Sequence, residues 1–238
     1  MNHLITYGDL KFERSKKRLS IEAENTGWFS SIVSYGPEDL DDKFKLKFEE
    51  ILNKPRIGGY GIWRPYIIKK KLEEINYNDI LIYLDSGCKI NPSGKKRLDE
   101  YIELLNKSDE GIISFQLGHA EKRYTTKEIF DYFDVNMRDK IANSGQILSG
   151  ILIMKKNTNL IKLIDKWLGV VHDNPLLFTD HYNSNQAPPF RDNRHEQSVF
   201  SLIRKLSNPI LVRDETYFRP FGNEVSLTYP FWATRIRK

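Results

Sequence analysis

Residues 77–91 read YNDILIYLDSGCKIN, and the fold turns on how this stretch is read. Ile80, Leu81, Ile82, Tyr83 and Leu84 form an unbroken apolar run, too short to span a membrane and of the length of a strand buried on both faces. The run stops at Asp85, which is followed at once by Ser86 and Gly87 and soon after by Pro92. Open α/β sheets hold their chemistry at the carboxyl ends of central strands, and a glycine there lets a ligand approach the backbone. A hard metal ion or a phosphate-bearing ligand would suit such an aspartate. An aspartate that only caps the turn after a strand would look the same, and the stretch alone leaves both readings open.

Working outward, the 238 residues suit one large domain with a real core, and 39% hydrophobic with 29% charged residues is a globular composition. No window approaches 18 apolar residues, so no membrane-spanning helix is expected. The opening MNHLITYGDLKF lacks the basic-then-apolar pattern of a signal peptide. The one cysteine, Cys88, excludes an internal disulfide and a cysteine-based zinc site and is expected in the core. A cytoplasmic protein fits these features. The net charge of +5 favours an anionic partner such as a nucleotide or a lipid head group. Because that charge is spread along the chain rather than gathered in blocks, nucleic acid is not an expected partner.

Taken in order, the chain alternates strand and helix. His3–Tyr7 reads as a strand, Lys11–Asn25 as a helix stopped by Gly27, and Trp28–Tyr35 as a second strand. Asp41 and Asp42 open a helix on which Phe44, Phe48, Ile51 and Leu52 share a face. This is the beginning of an α/β fold with a mostly parallel sheet. Gly58, Gly59 and Gly61 make a flexible turn before Pro65, which starts a helix that buries Ile68, Leu72 and Ile75 and displays Lys69, Lys70 and Lys71. A glycine-rich turn at a helix start can hold phosphate, although neither a Walker A nor a dinucleotide pattern is present. A helix over Ser93–Lys107, a strand over Gly111–Leu117, a Thr125–Glu128 capping box and a helix over Thr126–Phe133 follow. Gln146–Met154 is an apolar strand interrupted by Ser149-Gly150, which signals a bulge or a close ligand approach. Beyond the Leu160–Val171 helix, Asp173–Arg194 is a long polar segment whose Phe178, His181, Tyr182 and Phe190 suggest an ordered loop over a site. A helix over His195–Leu206, a short strand at Ile210–Val212 and an aromatic tail complete a single domain, residues 1–238.

Several of these segments occur together in a known order: Trp63-Arg64-Pro65, YLDSGC at Tyr83–Cys88, Tyr124–Lys127, the LSGILIM strand, and RHEQSVFS at Arg194–Ser201. Their order and spacing resemble the GT-A-fold nucleotide-sugar glycosyltransferases that build bacterial surface polysaccharides and the glycans of some large viruses. There the patterns run W-K-P, Y-L-D-A-G-C, W-T-K, A-G-I and H-R-H-D-Q-S. The resemblance covers most of the chain. Arg64 stands where that family has lysine, Ser86 where it has alanine and Glu196 where aspartate is common. Gly87 occupies the third position of the D-x-D metal motif found in many such enzymes, so one carboxylate is missing.

The resemblance implies transfer of a sugar from a nucleoside diphosphate sugar, UDP-linked by expectation, to a glycan or lipid-linked acceptor. Residues 1–92 would form the nucleotide-sugar half and 93–238 the acceptor half. Thr6, Tyr7 and Gly8 would lie at the nucleobase, Ser86 and Gly87 at the ribose or phosphate, and Arg64 beside the donor phosphates. Lys127, Ser149 and Gly150 would line the sugar or acceptor side. Asp85 would ligate Mn²⁺ or Mg²⁺, which can keep water and diphosphate oxygens as its other ligands, with His195 as a second ligand or diphosphate contact. Glu196, at a helix start, would be the base of an inverting transfer, with Asp180-His181 a rival pair in the loop before it. Arg235, Arg237 and Lys238 would allow peripheral contact with an anionic membrane. A haloacid-dehalogenase-type phosphotransferase using Asp85 needs a second aspartate where Gly87 stands, which counts against it. A nucleotide- or glycan-binding module without turnover is the non-enzymatic alternative.

Overall fold

The computed structural model describes residues 1–236; Arg237 and Lys238, two of the three tail cations, lie outside the described residues. The chain opens with β1 (Asn2–Tyr7), α1 (Glu13–Thr26), β2 (Ser31–Tyr35), α2 (Asp42–Lys47), α3 (Glu49–Leu52), the single left-handed turn α4 (Ile57–Tyr60) and α5 (Arg64–Glu74). The middle carries β3 (Ile80–Leu84), β4 (Lys89–Ile90), α6 (Lys95–Asn106), β5 (Ile112–Ala120), α7 (Lys127–Tyr132) and α8 (Lys140–Asn143). Then come β6 (Gly145–Ile147), β7 (Ile151–Lys155), α9 (Thr158–Asp173), α10 (Glu196–Lys205), β8 (Ile210–Arg213), α11 (Glu224–Leu227) and β9 (Phe231–Trp232). The main sheet runs β2-β1-β3-β7-β5-β6, with β8 on the other edge of β5. Strands β1, β2, β3, β5 and β8 point one way and β6 and β7 the other.

As expected, β3 is buried along its whole length. Its period-2 alternation sends Leu81 and Tyr83 to one face and Ile80, Ile82 and Leu84 to the other. The first face is covered by α5, α9 and α10, where Trp167 stacks on Phe200 at 3.8 Å. The second is covered by α1 and α6 through Leu19, Ala23, Leu98, Tyr101 and Leu105. Helices on both faces of a central sheet make this a three-layer α/β fold.

Local differences from the sequence expectation have identifiable causes. The helix expected after Asp41 is two pieces, because Phe48 leaves helical geometry between α2 and α3. Thr126, not Thr125, caps α7 by accepting from the Ile129 amide, and Glu128 bonds Asn183 and Gln186 instead of closing a capping box. Lys71 is buried rather than displayed, its ammonium reaching Glu74 at 2.9 Å. The expected strand 146–154 is split as its Ser149-Gly150 pair suggested: β6 and β7 both border β5, with residues 148–150 breaking the ladder between them.

Candidate active site

The strand order fixes where a crevice must open. From β1 the chain moves outward to β2 on one side and returns to β3 on the other, so the ends of β1 and β3 diverge at a switch point, where open α/β sheets bind ligands. A cavity of about 820 Å³ occupies that place. Tyr7 and Gly8 line it from the end of β1, Asp85, Ser86 and Gly87 from the end of β3, Ser149 and Gly150 from the β6–β7 break, and His195 and Glu196 from the start of α10.

At its floor lies Arg64, only 2% exposed. One guanidinium nitrogen donates to Glu196 Oε1 and, at 3.2 Å, to Ser149 Oγ; the other donates to Asp85 Oδ1 at 2.8 Å. Ser149 Oγ also donates to Glu196 Oε1 at 2.9 Å, and Tyr83 donates its phenol to Asp85 Oδ1 at 2.6 Å. The guanidinium sits 5.1 Å from the Trp63 ring and 5.0 Å from the Tyr83 ring, so aromatic faces fix the plane that the carboxylates fix at its edge. Burial works against the Arg64 charge, but Glu196, Tyr83 and Asp85 outweigh it and hold the group cationic. Burial also pushes the Tyr83 phenol far above its ordinary value, so it stays a donor.

Two close approaches depend on glycine. A Cβ on Gly150 would stand 2.6 Å from Asp85 Oδ2, and one on Gly61 would stand 3.0 Å from Glu196 Cγ. Gly61 ends a run of left-handed residues, Ile57, Gly58, Gly59, Tyr60 and Gly61, with φ between 54° and 87°. The glycine-rich turn is therefore a tight left-handed wedge that carries the chain over Glu196 into α5.

Three expected residues are placed otherwise. Thr6 shares the Leu4 face of β1, is 1% exposed and does not line the cavity, because alternation gives the cavity side to Tyr7. Lys127 is exposed on α7, where its ammonium pairs with Asp131 at 2.6 Å, away from the cavity lining. His195 is buried with its Nε2 on Asp180 at 2.9 Å and its ring 4.9 Å from that of Tyr60, so it does not pair with Asp85 to hold a metal. The rival Asp180 is thereby a partner of His195, and His181 is exposed. Glu196 is also not set as a base: Oε1 serves two donors, and Oε2 is buried without a hydrogen-bond partner. In this arrangement it anchors Arg64. Cys88 is buried, as expected.

Other residues of the site went unassigned in the sequence. Trp63 stacks on Tyr7 with ring centroids 3.6 Å apart, welding α5 to the end of β1. Arg18 donates to the carbonyls of Ser86 and Cys88 at 2.9 and 2.7 Å and so shapes the loop after Asp85. The tail covers the same loop, with Thr234 Oγ1 and the Ile236 amide donating to the Gly87 carbonyl at 2.8 and 2.9 Å, and brings Arg235 to the cavity. Tyr83 had a usable signal, since two residues before Asp85 on a strand means the same face; Arg18 had none.

A divalent cation requires hard oxygen ligands. Among the described residues no three His, Cys, Asp or Glu side chains converge. Asp85 is 46% exposed at its side chain, and its Oδ2 makes no hydrogen bond. The chain thus offers one free carboxylate oxygen rather than a cage, which fits only a cation that takes its remaining ligands from water and a bound diphosphate.

No protein-family model matches the sequence, and no curated protein matches it. Solved structures do share its fold. A glycosyltransferase involved in glycosylation of the major capsid of PBCV-1 superposes with a TM-score of 0.54 at 12% identity, covering 97% of this chain and 92% of that one. The fold is GT-A. Mouse xyloside xylosyltransferase 1 superposes with a TM-score of 0.51 at 12% identity over 98% of this chain and 97% of that one. The bifunctional glycosyltransferase WbbM gives 0.51 at 9% identity over 90% of this chain and 39% of that one. The fold expected from the motif order is therefore borne out. Among the described residues no helix is long and apolar enough to cross a membrane.

Proposed function

We propose that the protein is a glycosyltransferase that moves a sugar from a nucleoside diphosphate sugar to a glycan or lipid-linked acceptor. The observation that carries this reading is the buried cation Arg64, fixed between Asp85, Glu196 and Ser149 on the floor of a crevice at the switch point of a GT-A sheet. Departure of a nucleoside diphosphate leaves negative charge on the bridging oxygen; Arg64, already paired with two carboxylates, holds Asp85 at the crevice, and preorganised cations on the cavity wall would meet that charge. Lys11 and Arg235 line the same cavity, and among the described residues neither has an ion-pair partner, so both are available to a diphosphate. Residues 1–92 supply the nucleotide side through Tyr7 and Gly8. Residues 93–238 supply the acceptor side through Ser149, Gly150 and the start of α10.

Mn²⁺ or Mg²⁺ belongs to this proposal as a partner of Asp85. When bound with the donor it would add charge neutralisation at the diphosphate, and Asp85 Oδ2 would hold it. The other steps rest on the chain's own groups: Tyr83 and Arg64 orient Asp85, while Glu196 and Ser149 orient Arg64. Inversion with Glu196 as base is not part of this proposal, since Oε1 already serves two donors and Oε2 is buried.

Thermal unfolding with UDP, GDP, CDP and TDP, each with and without Mn²⁺, tests the donor site, because a ligand bound only to the native state raises the midpoint. One nucleotide is expected to raise it, more with Mn²⁺, and D85N is expected to remove the metal increment. No shift with any of the four overturns the donor site. A shift without sugar transfer to any glycan or lipid-linked acceptor supports the binding-module reading instead.

A further inference from the structure

A second cluster of charge lies on the same side of the sheet but outside the Arg64 floor. Strand β5 runs parallel to β3 with β7 between them, so its carboxyl end, Gly118–Ala120, faces the same side as Asp85. Two strand spacings separate β5 from β3, and the register carries Gly118–Ala120 two to four residues past the level of Asp85, so the two ends lie about 12–16 Å apart. At that end the chain gathers Arg123, Arg191 and Arg194 around His119. The Arg191 amide donates to the Arg123 carbonyl at 2.9 Å and the Arg194 amide to the Tyr124 carbonyl at 3.0 Å, zipping the end of the long loop onto the turn after β5. The Arg194 guanidinium stacks 4.1 Å over the Tyr124 ring, whose other contact is the His119 ring at 5.4 Å.

Among the described residues none of the three arginines has a carboxylate within ion-pair distance. The nearby acids are otherwise engaged: Asp192 is held by Arg56, buried Glu121 by Lys205 and Asp214 by Thr216. Burial, then Arg194, Arg123 and Arg191 in turn, depress the His119 pKa, with Asp214 opposing, so all three guanidiniums act on one ring. Arg191 is exposed, Arg123 and Arg194 are half-buried, and Arg194 also lines the main cavity. Three planar cations free of carboxylate ion pairs, on backbone that is pinned by pairing and with Arg194 stacked at the edge of the main cavity, are suited to an oxyanion.

We propose that Arg123, Arg191 and Arg194 form an anion subsite that selects an acceptor carrying a phosphate or carboxylate group within a few sugar units of the hydroxyl to be glycosylated. This rests on the glycosyltransferase reading and adds the chemical class of the acceptor. An anion about 12–16 Å from Asp85 lies a few sugar units from the reacting position. The subsite separates a charged acceptor from a neutral one through charge-assisted hydrogen bonds that a hydroxyl cannot replace.

The test titrates the full-length protein and its R123Q/R191Q variant with a hexose 6-phosphate, a hexuronic acid, inorganic phosphate and the neutral hexose. The nucleoside diphosphate that shifts the melting midpoint is titrated in parallel. Both substitutions are at or near the surface, and an unchanged melting midpoint shows that the fold is retained. At least one charged probe is expected to bind the wild type and to weaken about tenfold or more in the variant. Nucleotide binding is expected to stay within twofold, and the neutral hexose to show no difference. Preference for the sugar anions over inorganic phosphate assigns the subsite to the acceptor, whereas equal binding of inorganic phosphate alone reduces it to an unspecific anion site and overturns the proposal. Equal anion binding by wild type and variant, or no anion binding while the nucleotide still binds, also overturns it. An equal fall in nucleotide affinity assigns the arginines to the donor and overturns it too. Loss of the donor reading shows separately, as no nucleotide binding in either protein.

Discussion

Removing one arm of the Arg64 triad should have unequal consequences, and the inequality follows from exposure. The Glu196 side chain is 5% exposed and the Asp85 side chain 46%, while both hydrogen-bond the same guanidinium. Breaking a buried pair by deleting one charge costs about 3–5 kcal/mol, because the remaining charge is left uncompensated away from water. An ion pair with one partner open to solvent is screened and contributes about 1 kcal/mol or less. Urea denaturation of E196Q and R64M should therefore each show a loss of about 3–5 kcal/mol, with the denaturant slope unchanged. D85N should lose about 1 kcal/mol or less while still lowering transfer. In the double variant R64M/E196Q both charges leave together, so its loss should fall short of the sum of the singles by about 2–3 kcal/mol. Equal destabilisation by D85N and E196Q, or single losses that simply add, would refute the claim that the buried arm anchors the site.

Three further outcomes are expected. Gly150→Ala places a methyl 2.6 Å from Asp85 Oδ2, so it should cost about 1–3 kcal/mol and lower kcat/KM about tenfold; unchanged turnover in a folded G150A protein would show that Asp85 need not sit there. E196Q should lower kcat/KM yet keep the acid limb of its pH profile, because Glu196 holds Arg64 rather than taking a proton; disappearance of that limb would restore the base assignment. Burial, with Glu74 and Asp39 adding to it, raises the Tyr35 phenol to about 12, against an ordinary value of 10.0. Between those values the unfolded chain ionises first, so stability falls as pH rises through this window, by about 2–3 kcal/mol in all. Y35F should remove this share of the alkaline loss and leave the share of the other raised phenols, such as Tyr132, in place, as read from denaturation midpoints across pH 9–12.

The parts of the site legible in the sequence were those set by local pattern. The Ile80–Leu84 run declared a buried strand, and the abrupt stop at Asp85 marked its useful end. Ser149-Gly150 announced the broken strand, since a polar-glycine pair inside an apolar run leaves a gap in the ladder. What could not be read was how side chains pair across the sheet. Glu196 and Arg64 are 132 residues apart, and no local signal shows that they neutralise each other. A carboxylate at a helix start looks like a base until its partner is visible. His195 was ambiguous for the same reason, its Asp180 partner lying in an irregular loop. Thr6 and Tyr7 differed only by strand phase, and which phase faced the crevice depended on Trp63.

Ser149 and Gly150 lie in a three-residue break between two strands, with β5 alongside both halves. A residue inserted or deleted there would flip one half of the strand face for face, so this part of the centre can change in side chain but not in length. The loop 173–194 and the tail covering Gly87 have no such phase to keep. Evolutionary drift, and deliberate grafting, would therefore reshape the rim through changes of loop length while the floor admits only point substitution. Proteins diverging from this scaffold would then differ first in what the rim grips and last in what the floor holds.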